Sequence, residues 1–130
     1  MSKARLVIAD DHSIVLQAYR QLLEPEYTVV GTASNGQELL AVAPQLAPDI
    51  ILLDISMPIM GGFPAARHLH NNYPEVSFIF VSQHRDHFYL DAVLECGAKG
   101  FIVKSAAATE LPVALVAFEA GEVYRSNLIK

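Results

Sequence analysis

Tryptophan is absent from this 130-residue chain, and cysteine occurs once, at Cys96. A lone cysteine excludes an internal disulfide framework and suits a reducing cytosol, so a cytoplasmic location is expected. No apolar run approaches the ~18 residues that a membrane span needs, and no membrane partner is expected. The start, Met1-Ser2-Lys3-Ala4-Arg5, leads straight into a strand-like segment, so a signal peptide is not expected. Basic runs are also missing. The nine Lys and Arg residues are scattered and the formal net charge is −5. Phosphate backbones demand clustered basic side chains, so this domain is not expected to grip nucleic acid itself. A DNA-linked role would need another domain or another chain.

What the chain does have is apolar residues, 52% of the total and spread along its whole length, which excludes disorder. Its length suits one domain, residues 1–130, able to bury a core without disulfides or a structural metal. Short aliphatic runs appear at Arg5–Ala9, Thr28–Ala33, Ile50–Leu53, Phe78–Val81 and Gly100–Val103. Between them lie stretches with helical spacing: Ser13–Leu23, Gly36–Leu46, Gly62–Asn72, His87–Cys96 and Thr109–Gly121. In the first, Ile14, Leu16, Ala18, Leu22 and Leu23 form the expected apolar stripe; in the second, Leu39, Leu40, Val42, Ala43 and Leu46. Ser34 or Asn35 can cap the second helix. Pro64 fits a first helical turn, whereas Pro112 places the start of the last helix just before it.

Strands that read as continuous apolar runs, such as Ile50-Ile51-Leu52-Leu53, belong in a sheet covered on both faces. Strict β/α alternation implies parallel strands with right-handed crossovers. Repeated five times, it predicts an α/β, flavodoxin-like (βα)5 doubly wound sheet of strand order 2-1-3-4-5. Ligands then bind beyond the carboxyl ends of strands 1 and 3, where the chain reverses direction. That rule selects Asp10 and Asp11 after the first strand, Asp54 after the third, Ser82 after the fourth and Lys104 after the fifth.

The chemistry of this set is coherent. Three neighbouring carboxylates repel one another and invite a hard divalent cation, for which Mg²⁺ suits. Asp54, the central one, can attack phosphorus to form an acyl phosphate. Lys104 would offset charge on the transferring group, and the Ser82 hydroxyl would donate to one of its oxygens. Positioning and electrostatics carry phosphoryl transfer, so no separate base is needed.

Four stretches, Val7-Ile8-Ala9-Asp10-Asp11-His12, Leu53-Asp54-Ile55-Ser56-Met57-Pro58, Val81-Ser82 and Gly97-Ala98-Lys99-Gly100-Phe101-Ile102-Val103-Lys104, resemble the receiver domain of two-component response regulators. The resemblance covers essentially the full length. It implies that Asp54 takes a phosphoryl group from the phosphohistidine of a sensor histidine kinase. It further implies that Asp11, Asp54 and the Ser56 carbonyl ligate Mg²⁺, with Asp10 beside them or acting through water. In such domains the serine at position 82 moves toward the new phosphate and the aromatic at position 101 rotates inward. Asp10-Asp11-His12 and the ending Ala120-Gly121-Glu122-Val123-Tyr124-Arg125-Ser126 are similar to the NarL/FixJ subfamily, whose receivers precede a LuxR-type helix-turn-helix. The preferred reading is therefore the receiver half of a transcription regulator, its DNA-binding domain outside this chain; a free-standing receiver is the alternative. A homodimer formed on phosphorylation is the other expected partner.

Some positions depart from the family pattern. Gly61-Gly62 replaces the usual Asp-Gly, which loosens the expected loop. Gln83 follows Ser82 where a small residue is usual; its backbone N–H still reaches a phosphate while its side chain covers the site. Phe101 lacks the hydroxyl of the commoner tyrosine. An isolated Asp10 or Asp11 would read better as a helix cap, and Ser82 or Lys104 alone as ordinary surface residues. His68, His70, His84 and His87 read as solvated, since no carboxylate or thiol pattern completes a metal set. Cys96 reads as a packing residue with nothing basic beside it. An aspartate-nucleophile phosphatase of the haloacid dehalogenase type needs a second aspartate two residues on, and that position is Ser56. The expected behaviour is that of a switch, not a turnover enzyme.

Overall fold

The computed structural model describes residues 3–83 and 95–126. The elements run β1 (Arg5–Ala9), α1 (Ser13–Leu23), β2 (Thr28–Ala33), α2 (Gly36–Leu46), β3 (Ile50–Asp54), α3 (Gly62–Asn72), β4 (Ser77–Ser82) and β5 (Ala98–Val103). A 3₁₀ turn (Lys104–Ala106), α4 (Ala107–Glu119) and β6 (Tyr124–Arg125) follow, α4 being the fourth described helix. The helix expected at His87–Cys96 falls almost wholly outside the described residues. All strand pairs are parallel, in the order β2-β1-β3-β4-β5-β6. The flavodoxin-like order read from sequence holds, with one short edge strand added beyond β5. Among the described residues, no helix is long and apolar enough to cross a membrane.

Why these strands are apolar throughout is visible in their alternation. Val7 and Ala9 of β1, Ile51 and Leu53 of β3, and Phe78 and Phe80 of β4 point into one buried layer with Leu39 and Ala43 of α2 and Ala65, Ala66 and Leu69 of α3. Leu6, Ile8, Ile50, Leu52, Ile79 and Val81 point the other way, against Tyr19 and Leu23 of α1 and Leu111, Ala114 and Leu115 of α4. Each buried aliphatic side chain contributes roughly 1.5–3 kcal/mol of transfer free energy, so a one-residue register slip, exchanging the layers, is strongly disfavoured.

The helices differ in detail from expectation. On α1 the buried residues are Tyr19 and Leu23, with Val15, Leu16 and Leu22 packed against them. Ile14 is 79% exposed and Ala18 is exposed. The true stripe is spaced i, i+1, i+4, i+7, i+8, and it turns two of the expected residues outward. Asn35 caps α2 by accepting from the Glu38 N–H at 2.8 Å, and the Glu38 carboxylate accepts from the Ser34 backbone N–H at 3.1 Å. Pro112 does not mark a helix start. It is the sixth residue of α4, which begins at Ala107. The bond it cannot donate would have gone to the Ala108 carbonyl, and Ala108 is exposed, so water can satisfy it.

The 61–62 loop is held, not loose. Gly62 donates its N–H to the Ile55 carbonyl at 2.8 Å, and Gly36 donates to the Met60 carbonyl at 2.8 Å. A Cβ on Gly62 would collide with the Asp54 carbonyl oxygen. Glycine there lets the start of α3 close under the backbone of Asp54.

β6 had no signal in the sequence. It pairs Tyr124 with Gly100 and Arg125 with Phe101, and the Ser126 N–H donates to the Phe101 carbonyl at 2.8 Å. Buried Glu110 of α4 fastens it, its carboxylate accepting from the Tyr124 hydroxyl at 2.9 Å and the Ser126 hydroxyl at 3.1 Å.

Candidate phosphoryl-acceptor site

Parallel strands end together at one rim of the sheet, and this fold geometry gathers the residues singled out by sequence. Asp10 follows β1, with its N–H bonded to the Ala33 carbonyl of β2 at 3.0 Å. Asp54 ends β3 and Ser82 ends β4; Lys104 begins the turn after β5. Asp10 is 2% and Asp54 6% exposed, while Ser82 is buried and Asp11 faces solvent.

The Lys104 ammonium bridges the two buried carboxylates. Its Nζ lies 2.8 Å from Asp10 Oδ2 and 3.1 Å from Asp54 Oδ2. Asp54 Oδ1 accepts from the Ser56 backbone N–H at 3.3 Å. Burial pushes the Asp54 carboxyl above its ordinary pKa; the Lys104 ammonium pulls it down, Asp10 pushes it further up, and the Ser56 N–H lowers it. Burial disfavours the Lys104 ammonium, but its bonds to Asp10 and Asp54 outweigh that and raise its pKa. Asp54 is thus a buried base whose ionisation depends on a positive charge beside it.

A cleft of about 110 Å³ opens over Asp54, lined by His12, Ser56, Ser82 and Gln83. A larger groove, about 770 Å³, lies at the other end of the strands beside Lys3, Tyr27 and Asp49. Its carboxylates, Glu26, Asp49 and Glu119, do not form a group close enough to share an ion, the one such group among the described residues being at the Asp54 rim, so size does not mark the chemistry here. One ligand atom from each of Asp10, Asp11, His12 and Asp54 lies within 4.8 Å of the others. Three carboxylates so close fit a hard divalent cation, with the Lys104 ammonium already balancing part of their charge.

The helix-cap reading of the acidic pair fails. The N-cap of α1 is His12, and Asp10 Oδ1 instead accepts the His12 backbone N–H at 2.9 Å. His12 is a further polar residue at the rim: its Nδ1 lies 2.9 Å from Asp10 Oδ1 and 3.2 Å from Asp11 Oδ1. Its place directly after two aspartates in a turn was the available signal. Phe101 is buried in the β4–β5 layer, paired in register with Phe80. Of the other histidines, His68 is exposed, and His84 and His87 lie outside the described residues. His70 is not solvated as expected: its Nδ1 is enclosed without a partner among the described residues, against Gly97. Cys96 is buried as expected, but Arg67 lies beside it. Burial nevertheless dominates and pushes the thiol up, which disfavours the thiolate form.

Known proteins share this architecture and about a third of this sequence. The response regulator receiver domain family matches residues 6–116. The transcriptional regulatory protein DegU of Brevibacillus brevis is 35% identical over 136 residues, which cover 99% of this chain and 58% of DegU. A LuxR-family two-component response regulator from Aurantimonas sp. SI85-9A1 superposes with a TM-score of 0.92 at 33% identity, covering 98% of this chain and 93% of that one. The isolated receiver domain of RcsB from Salmonella enterica serovar Typhimurium, solved with the phosphomimetic BeF₃⁻, gives 0.90 at 29% identity, covering 98% and 96%. The chain spans a little over half the length of the curated relatives that it matches. Sequence, strand order and acidic rim agree: this chain belongs to the receiver domain family of two-component response regulators, in its NarL/FixJ, LuxR-type branch.

Proposed function

We propose that this domain is a phosphorylation switch in which Asp54 takes a phosphoryl group from the phosphohistidine of a sensor histidine kinase. The observation that carries the reading is the Lys104 ammonium held between Asp10 and Asp54, at 2.8 and 3.1 Å, under a cleft lined by Ser56, Ser82 and Gln83. An Asp54 carboxylate oxygen forms the new O–P bond as the P–N bond to the donor imidazole breaks, and the electron pair leaves with that nitrogen. Lys104 stays beside the acceptor and balances the charge that arrives. The Ser82 hydroxyl donates to one phosphoryl oxygen, and the backbone N–H groups of Ser56 and Gln83 serve the others. Asp10, Asp11, Asp54 and the Ser56 carbonyl would hold Mg²⁺, which when bound neutralises phosphoryl oxygens and helps align them.

The readout is a shift between two packings, one favoured by the phosphoryl group. Ser82 and Phe101 are its proposed moving parts, on adjacent strands: Ser82 pairs with Val103, two residues beyond Phe101. The output proposed is transcription, through a LuxR-type helix-turn-helix beyond this chain; for the RcsB relative a complex with DNA has been solved. A second copy of the chain is the proposed partner of the phosphorylated form. Ile14 of α1 and Val113 and Val116 of α4 leave apolar side chains exposed on two contacting helices, which favours that pair as the surface.

The test is incubation with Mg²⁺ and acetyl phosphate, followed by intact mass. A single phosphoryl adduct on wild type, absent from Asp54→Asn, is expected. No adduct on wild type, or an equal one on the variant, would refute the assignment. Sustained turnover of generic phosphate esters would point instead to a phosphatase.

A further inference from the structure

β6 is bonded both to the strand that carries Phe101 and to the helix that follows Lys104. We propose that β6 is a detachable strand, closed by Glu110 in the unphosphorylated domain and released when Asp54 is phosphorylated, and that it passes the state of the site to the chain following Ser126. This rests on the proposed phosphorylation switch and names the element that transmits it.

Two attachments hold β6, and both lead back to the site. Its backbone pairs in parallel with β5, Tyr124 beside Gly100 and Arg125 beside Phe101, and the Ser126 N–H donates to the Phe101 carbonyl at 2.8 Å. The proposed switch aromatic is thus bonded to the strand through its own peptide. The side chains of β6 are held by Glu110, on the first turn of α4, a helix joined to β5 by the short turn that starts at Lys104. The Tyr124 hydroxyl donates to Glu110 Oε1 at 2.9 Å and the Ser126 hydroxyl to Oε2 at 3.1 Å. Burial, with the Glu110 bond adding to it, pushes the Tyr124 hydroxyl up to about 12, so it stays a donor.

This fastening has two states and little between them. Glu110 is buried, and among the described residues those two hydroxyls are its side-chain partners. Losing one leaves a half-satisfied acid in the interior, which is worse than either full closure or full hydration, so the two bonds open together. A strand that served only to cap the sheet would hold as well on apolar side chains, since exchanging both partners of a buried hydrogen bond for apolar groups is close to neutral. Two residues at a sheet edge, with Arg125 facing solvent, also put β6 at the low end of local stability.

Strand order gives the direction of the change. β5 lies between β4 and β6, and Asp54 ends β3, on the far side of β4. Val103 pairs with Ser82 and Phe101 with Phe80. A phosphoryl group that draws Ser82 and Lys104 toward itself therefore pulls β5 toward β4 and away from β6. The β4–β5 ladder has five pairs and the β5–β6 ladder two, so the second is the one that yields. Coupling of this kind is reciprocal: an open β6 must favour the phosphorylated packing by the same factor.

Hydrogen exchange on the full chain tests this, with BeF₃⁻ and Mg²⁺ as the phosphoryl mimic. When both are added, the Ser126 N–H should lose protection by about tenfold or more, while amides of β4 keep theirs. Glu110→Gln removes one of the two carboxylate acceptors. It should expose the same N–H without BeF₃⁻ and bind BeF₃⁻ more tightly, by up to the same factor, in a ¹⁹F NMR titration. Ser126→Ala removes one donor and should act in the same direction, which keeps the test open if Glu110→Gln does not fold. If BeF₃⁻ binds wild type and Ser126 protection stays or rises, or if the variants bind BeF₃⁻ as wild type does, the role of β6 is overturned and the phosphorylation site stands. If BeF₃⁻ does not bind wild type and acetyl phosphate gives no adduct, the switch reading itself is wrong and the release of β6 falls with it.

Discussion

Removing the Lys104 ammonium should be costly even before any phosphoryl chemistry is considered. In Lys104→Met the stem volume is kept, but two nearly buried carboxylates lose the charge that lies 2.8 and 3.1 Å away. At an effective dielectric of ~20, each such contact represents about 5 kcal/mol of Coulomb attraction, much of it offset by desolvation. Breaking a buried pair from one side typically costs ~3–5 kcal/mol. The rim is open at Asp11, and Asp54 can take up a proton, so the lower end, about 3 kcal/mol, is expected. For a domain of this size that is a fall in Tm of about 12 °C. The pH dependence gives a second check. Asp54 has a folded pKa raised above its unfolded value, so its ionisation costs stability as pH rises through that folded value. The penalty of Lys104→Met should therefore be smaller at low pH, where Asp54 is protonated, and grow as Asp54 ionises. Urea denaturation at pH 3.5 and 7.5 reads this directly. A variant as stable as wild type at pH 7.5, or one with the same deficit at both pH values, would refute the electrostatic account of the rim.

Other outcomes follow from the same contacts. Asp54→Asn removes a carboxylate whose charged form burial disfavours, and should leave the protein at least as stable as wild type above the carboxylate range while abolishing phosphorylation; a loss of stability at neutral pH would contradict the raised pKa. Gly62→Ala should destabilise by roughly 1–3 kcal/mol in urea titration, because its methyl group meets the Asp54 carbonyl and α3 must move. Glu110→Ala should release β6, seen as lost hydrogen-exchange protection of the Ser126 N–H together with a deficit of about 2 kcal/mol; unchanged protection would show that β6 holds without its latch. Cys96 should react with a thiol reagent only on unfolding, since burial raises its pKa despite Arg67.

The sequence by itself determined the β/α alternation, the parallel sheet and the rim of Asp10, Asp11, Asp54, Ser82 and Lys104. These are legible because each charged or hydroxyl residue directly follows a run of apolar residues that only a doubly covered strand can use. The cap at Asn35 and the inner face of α2 were equally local, set by spacing within one helix. Only the tertiary structure decided what depends on partners far along the chain. Tyr19, not Ile14, faces inward because α1 must present its stripe to β1, β3 and α4 together. β6 is two residues long, too short for any periodic signal, and exists because Glu110, 14 residues before Tyr124, lies buried beside the edge of β5. Pro112 could lie inside α4 because the carbonyl it leaves unbonded faces water. His12 follows the two aspartates in sequence, but only a turn of backbone, invisible in hydrophobic pattern, brings its ring beside their carboxylates. Patterns of burial can be read in sequence because water acts on every residue alike. Convergence of particular polar atoms waits for the fold, because it depends on distances between segments that the sequence does not contain.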